Sequence, residues 1–174
     1  MDEPRVIIPR EDIQRKVQEV ASEIRRDYLS KNPLLVGALK GSFVFMSDLV
    51  RNLDMPLEID FVKISSYGSC KQTSGVVRIK QGLGTPVQNR HVLVVEDIVD
   101  SGLTLRRLLD YLERRKPLSV RVCALFDKPS GRRAEVPIHY AGFTVPDRFV
   151  VGYGLDCGER FRYLPDLCVL EGQD

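Results

Sequence analysis

The chain of 174 residues carries 26 Lys and Arg against 24 Asp and Glu, a formal net charge of +2, with 43% hydrophobic and 29% charged residues. A chain of this length suits one domain, or a core with a small appendage, and hides about 70% of its unfolded surface, so it needs neither disulfides nor a structural metal. The composition excludes collagen-like, coiled-coil and disordered classes, and so even a charge balance gives little support to a general nucleic-acid binder, which needs a clustered cationic face.

The opening Met1–Arg5 shows no cationic region followed by an apolar stretch, and no uncharged apolar run reaches spanning length, so a soluble, cytoplasmic protein without a membrane partner is expected. Cys70, Cys123, Cys157 and Cys168 form no C-x-x-C pair, and His91 and His139 are far apart, which leaves no zinc-ligand spacing. Cys123 and Cys168 sit in apolar stretches and read as small buried hydrophobes.

From Glu11 to Leu29, Ile13, Val17, Ala21, Ile24 and Tyr28 recur every three or four positions and predict a helix ending before Pro33. The unbroken apolar run Leu34–Leu39 reads as a strand covered on both faces, and a second helix is expected over Phe43–Arg51. Ile59–Ile64 reads as a strand, the polar stretch Ser65–Ser74 as a loop, and Val76–Ile79 as a further short strand. Gln81–Arg90 is a connection rich in Gly, Pro and Asn before the strand His91–Val95.

A third helix is predicted from Gly102 to Arg114, where Leu105, Leu108, Leu109 and Leu112 form one stripe and Pro117 stops it. Val120–Phe126 follows as a buried strand. Strands alternating with helices imply an α/β fold, an open, twisted parallel sheet with helices on both faces. Beyond Lys128 only short pieces remain: Tyr140–Phe143, Phe149–Val151 and Leu167–Leu170. With Val6–Ile8 they are expected to build a small subdomain above the sheet, giving a core of about 11–128 and a hood from about 1–10 and 129–174 within a single 1–174 domain.

The chemistry concentrates in Val94–Thr104, where a buried strand meets Glu96 and Asp97 and passes through Asp100, Ser101 and Gly102 into a helix. Ligands of open α/β sheets sit outside the carboxyl ends of the strands, and paired carboxylates there suit the vicinal hydroxyls of a sugar. The turn from Asp100 to Thr104 adds hydroxyls, main-chain N–H groups and a helix N-terminus, which favour a phosphate. Alternatively Asp100 or Ser101 simply caps the helix. Two adjacent acids behind four apolar residues tip the reading towards a site, because they cost desolvation and mutual repulsion unless donors or a metal meet them. The turn is neither a P-loop nor a dinucleotide fingerprint.

This stretch resembles the phosphoribosyl-diphosphate signature of the type I phosphoribosyltransferases. Together with Leu39–Ser42, Ser65–Gly68, Asp127–Pro129, Phe149–Asp156 and Phe161–Arg162, in that order from about Ile7 to Val169, the chain is similar to the hypoxanthine (hypoxanthine-guanine) branch. The resemblance implies transfer of a phosphoribosyl group from its diphosphate to N9 of a 6-oxopurine, in purine salvage. It implies that Glu96, Asp97, Asp100, Ser101, Gly102, Leu103 and Thr104 hold the ribose and its 5-phosphate, with Asp100 also the catalytic proton acceptor at purine N7. Lys40, Gly41 and Arg162 would take the diphosphate, and Lys128, Phe149, Val150 and Asp156 the purine. Lys128 would donate to O6 and so prefer hypoxanthine or guanine to adenine. Asp156, Glu96 and Asp97 would serve Mg2+, Ser66 and Tyr67 would lie on a lid, and a homodimer or homotetramer would be usual.

Read singly, several of these are ordinary: Lys40 as a solvated loop lysine, Phe149–Val151 as core, and the Arg106–Arg107, Arg114–Arg115 and Arg132–Arg133 pairs as solvated faces or subunit contacts. A different class, a nucleotide-sensing regulator of the same fold that binds RNA or DNA, is the alternative. The diphosphate loop, the lid and Lys128 argue against it, and a uracil-using relative is disfavoured by Lys128 with Phe149.

Overall fold

The computed structural model describes residues 3–69 and 72–170, with side chains over 3–64 and 77–170. In chain order the elements are β1 Pro4–Ile8, α1 Arg10–Tyr28, β2 Leu34–Leu39, α2 Phe43–Leu53, β3 Glu58–Ser69, β4 Gln72–Gln81, β5 His91–Val99, α3 Leu103–Glu113, β6 Ser119–Asp127, β7 Tyr140–Thr144, β8 Val150–Val151 and β9 Leu167–Leu170. Among the described residues they form a six-stranded sheet in the order β4-β3-β2-β5-β6-β7 and a three-stranded sheet in the order β1-β9-β8. The large sheet is parallel apart from β4, which runs antiparallel to β3.

Strand alternation decides which helix each residue meets. Leu35, Leu93, Val95, Cys123 and Leu125 pack with the buried faces of α1 and α2. Leu34, Val36, Val92, Val94, Val122 and Ala124 pack with Leu105, Leu108, Leu109 and Leu112 of α3 on the other face. Each such leucine or valine stabilises the fold by about 1.5–3 kcal/mol relative to exposure. Helices on both faces follow from strands that are apolar throughout rather than alternating. Cys123 and Cys168 are buried free thiols, as their apolar neighbours imply, while Cys70 lies outside the described residues.

Three readings of the sequence need correction. The stretch Ser65–Ser74 is not a plain loop: β3 runs through Ser69 and β4 starts at Gln72, in a ribbon paired from Lys63↔Gln81 to Ser69↔Gln72. An antiparallel ribbon satisfies its main chain by pairing alone, so polar side chains do not prevent it. Since β2 ends opposite Lys63, the ribbon projects beyond the carboxyl end of the parallel strands. Next, β5 continues to Val99, with Glu96 opposite Ala124 and Val99 opposite Asp127, so the acids lie inside a paired strand rather than after it. Finally, Tyr140–Thr144 does not join the upper pieces but extends the large sheet beside β6. Its buried Tyr140, and Phe143 stacked on Phe126 at 6.1 Å, supply apolar contact that an isolated five-residue pattern does not announce.

Candidate active site

Where β2, β5 and β6 end, a pocket of about 270 Å³ opens, lined by Lys40, Gly41, Asp97, Ile98, Asp100, Lys128, Arg148, Phe149, Val150, Leu155, Asp156 and Arg162. Nine of the residues singled out in the sequence therefore meet in one cavity. Glu96 and Ser101–Thr104 do not line it, and the side chains of Ser66 and Tyr67 lie outside the described residues.

The floor of the pocket is close-packed main chain and carboxylate. A Cβ at Gly41 would fall 1.7 Å from Asp97 Oδ2, and one at Gly154 would fall 2.4 Å from the Gly41 carbonyl oxygen. The loop after β2, the acids of β5 and the turn after β8 thus approach as closely as bare backbone permits. The Leu39–Lys40 peptide bond in this loop is cis. Ser42, fully buried, donates to the Ala38 carbonyl at 2.8 Å and ties the loop to its strand.

Glu96 is 4% and Asp97 9% exposed. Burial, then the neighbouring Asp97, pushes the Glu96 carboxyl well above the usual range, and its Oε1 has no hydrogen-bond partner. Burial raises Asp97 to about 6, against the opposing pull of the Ile98 and Asp97 main-chain N–H groups and of Arg162, while Asp156 adds to the rise. A buried acceptor without a partner is costly unless a ligand donor completes it.

Beyond Val99 the chain turns through Gly102, at φ 76°, into α3, which begins with no side-chain cap bond. Asp100 therefore does not cap the helix, and Ser101 contributes one long bond to its first residue. The Asp100 carboxylate instead meets Lys128 Nζ at 3.2 Å, and Ser101 Oγ accepts only a 3.4 Å bond from Leu103 N. The turn is braced from behind by a residue the sequence suggested was a solvated face. Arg132 donates from Nε to the Asp100 carbonyl at 3.1 Å, from Nη2 to the Val99 carbonyl at 3.2 Å, and pairs with Asp127. Arg133 N and Ala134 N both donate to the Ser101 carbonyl, at 2.9 and 3.0 Å.

Also lining the pocket, Arg162 donates from Nη1 to the Gly154 carbonyl at 2.8 Å, and its Nη2 lies 2.7 Å from Asp156 and 3.4 Å from Glu159. Arg162 Nε is buried without a partner. Lys40 Nζ lies 2.9 Å from Glu159 as well, so one exposed carboxylate bridges both cations assigned to diphosphate. Sequence reading missed Glu159, Asp147 and Arg132, since nothing in the chain pattern marks their distant partners.

Residues 9–157 match the phosphoribosyl transferase domain, and the chain belongs to the phosphoribosyltransferase family. Over 170 residues it is 47% identical to the hypoxanthine-guanine phosphoribosyltransferase of Bacillus subtilis (strain 168), covering 98% of this chain and 94% of the relative. It is 48% identical over 166 residues to that of Dictyostelium discoideum, covering 93% and 92%. A crystal structure of hypoxanthine phosphoribosyltransferase from Staphylococcus aureus matches with a TM-score of 0.90 at 41% identity, over 96% of this chain and 91% of that one. Within the family it thus falls in the hypoxanthine-guanine branch. The regulator reading draws no support from these relatives.

Proposed function

We propose that the chain transfers the 5-phosphoribosyl group of phosphoribosyl diphosphate to N9 of hypoxanthine, and of guanine, as a cytoplasmic purine-salvage enzyme. One observation carries the reading: Lys128 with Asp100, and Lys40 with Arg162, line one pocket, with the buried Asp97 also in its wall. A base on the first pair and a diphosphate on the second leave the sugar to Asp97.

The ribose hydroxyls donate to Asp97 in the pocket wall, while Glu96, assigned to the ribose by the resemblance, is buried beside it and does not line the pocket. The 5-phosphate sits on the turn Asp100–Thr104, whose main-chain N–H groups and helix N-terminus favour an anion. Purine O6 accepts from Lys128, Phe149 stacks on the ring, and Val150 reads its edge. As the bond from C1 to the diphosphate oxygen breaks and the bond to N9 forms, the purine gives up one proton, which Asp100 takes at N7. Anionic carboxylates favour the cationic sugar of the transition state, while Lys40 and Arg162 receive the charge that leaves with diphosphate. For those cations to serve, diphosphate displaces Glu159.

Mg2+ fits this donor set. Asp156 lies close enough to Asp97 to raise its carboxyl, and the pair supplies hard oxygen atoms. Among the described residues no three His, Cys, Asp or Glu side chains converge on an ion site, so the expected set of Asp156, Glu96 and Asp97 is not assembled as one group; a cation held by Asp156 and Asp97 would take its further oxygen atoms from phosphate. Bound there, it would supply positive charge against the leaving group. The sheet of β1, β9 and β8, with the turns that carry Phe149 and Arg162, forms a hood over the base, and the β3–β4 ribbon carries the lid. A homodimer or homotetramer is supported by exposed Phe43 and Tyr163 beside the diphosphate loops.

Incubation with the ribosyl donor, Mg2+ and each purine base tests the reading. Nucleotide and diphosphate should form with hypoxanthine and guanine; no product with any 6-oxopurine rejects it.

A further inference from the structure

Lys128 links the turn after β5 to the turn before β8 by charge. Its Nζ lies 3.2 Å from Asp100 Oδ2 and 3.2 Å from Asp147 Oδ1. The lysine side chain is 13% exposed, while the two carboxylates are 50% and 63% exposed, so the cation is the inner member and the acids flank it. Its stem is fixed where it leaves the sheet, because Lys128 N donates to the Val99 carbonyl at 3.0 Å. The turn that carries Asp147 is fixed too: Val145 N donates to the Asp127 carbonyl, and Arg148 N to the Pro146 carbonyl, both at 2.8 Å. Gly131 leaves room for the pair, since a Cβ there would fall 1.9 Å from Asp100 Oδ1 and 3.3 Å from Lys128 Cε.

We infer that Asp147 is a positioning residue for base recognition: as a second counter-ion it holds the Lys128 ammonium between two carboxylates, aims its remaining proton at purine O6, and keeps Asp100 from being consumed by a one-to-one ion pair. The inference rests on the reading of Lys128 as the O6 donor. An ammonium has three protons and no acceptor. Two carboxylates occupy two of them and hold the charge between them, leaving the third for the base. With Asp147 gone, the cation relaxes onto Asp100, away from O6 and onto the very oxygen atoms that must reach N7. Asp147 precedes Phe149 by two residues, so the same turn sets both the stacking ring and the counter-ion.

The experiment compares the full-length enzyme with Asp147→Asn, Asp147→Glu, Lys128→Met and the double variant Asp147→Asn/Lys128→Met, measuring KM and kcat for hypoxanthine, for adenine and for the ribosyl donor. Asp147→Asn should raise KM for hypoxanthine about fivefold, the upper range for a partly exposed ion pair, and leave KM for the ribosyl donor within about twofold. Asp147→Glu should restore most of the loss, discrimination against adenine should narrow, and Asp147→Asn should add nothing once Lys128 is methionine. An unchanged KM for hypoxanthine in Asp147→Asn, while Lys128→Met shows its own loss, overturns the inference alone. An equal loss from Asp147→Asn with and without Lys128 overturns it as well, because the residue then acts through the turn. Normal base affinity and selectivity in Lys128→Met removes the underlying reading and this inference with it.

Discussion

At the amino ends of β6 and β7, Arg121 donates to Asp27 at 3.0 Å and to the Tyr140 hydroxyl at 2.9 Å, while Tyr140 donates to Asp27 at 2.6 Å. Near the carboxyl end of β5, Glu96 and Asp97 are more deeply buried, and one of their oxygen atoms has no partner. The first cluster closes on itself: the Tyr140 hydroxyl and the two arginines beside it, Arg26 and Arg121, hold the Asp27 carboxyl below its ordinary value. In the second, burial holds both carboxyls above theirs. One end of the sheet thus uses polar side chains to fasten α1 to the strands. The other keeps them in an unfavourable state, which fits the ligand-binding role proposed for that end and an exchange of stability for function.

The sharpest way to break this contrast is at the reacting end. Asp100→Ala should lower kcat by about 100-fold or more, the range for a removed proton acceptor, with nucleotide affinity changed far less. Equal kinetics in that variant, measured by single-turnover product formation, removes its assigned role. Next in size, Glu96→Gln should weaken binding of the ribosyl donor about tenfold yet raise the unliganded Tm by about 2–4 °C, because folding then no longer has to take up a proton to bury this carboxyl. Calorimetry with and without the donor reads both effects, and a lower unliganded Tm would refute the contrast.

The same end has a pH signature. Asp97 is raised from 3.8 to about 6, so the folded chain binds its proton more tightly than the unfolded one. Its contribution to stability is complete below the unfolded value and is lost as pH rises through about 6. Urea titrations across that window should therefore show Asp97→Asn gaining on the parent as pH increases. At the closed cluster the outcome reverses: Tyr140→Phe should cost about 1–2 kcal/mol of stability and leave kcat and KM unchanged at permissive temperature. The smallest effect is Glu159→Gln, which frees Lys40 and removes one of the partners of Arg162, and should lower KM for the ribosyl donor about twofold, as befits an exposed pair.

Much of this arrangement is legible in the chain. The apolar run of β2, the leucine stripe of α3 and the acids behind Val92–Val95 announce themselves because each is a local pattern of burial. The ribbon of β3 and β4 does not, because its strands are specified by pairing rather than by hydrophobicity. Nor does the place of β7, since five residues of mixed character fit the edge of either sheet. At the site, the matched motifs supply the residues proposed to touch substrate, but not those that restrain them. Glu159 meets Lys40 across 119 positions and Arg132 meets Asp100 across 32, distances over which sequence spacing carries no signal.

The contact between Gly41 and Asp97 limits how this cavity can be altered. Where a wall is built from a side chain, trimming it makes room for a larger guest; at position 41 there is no atom left to trim, and one added methyl already overlaps a carboxylate oxygen. A redesign aimed at bulkier sugar donors therefore has to widen the pocket from the Phe149 and Leu155 side, where there is bulk to remove.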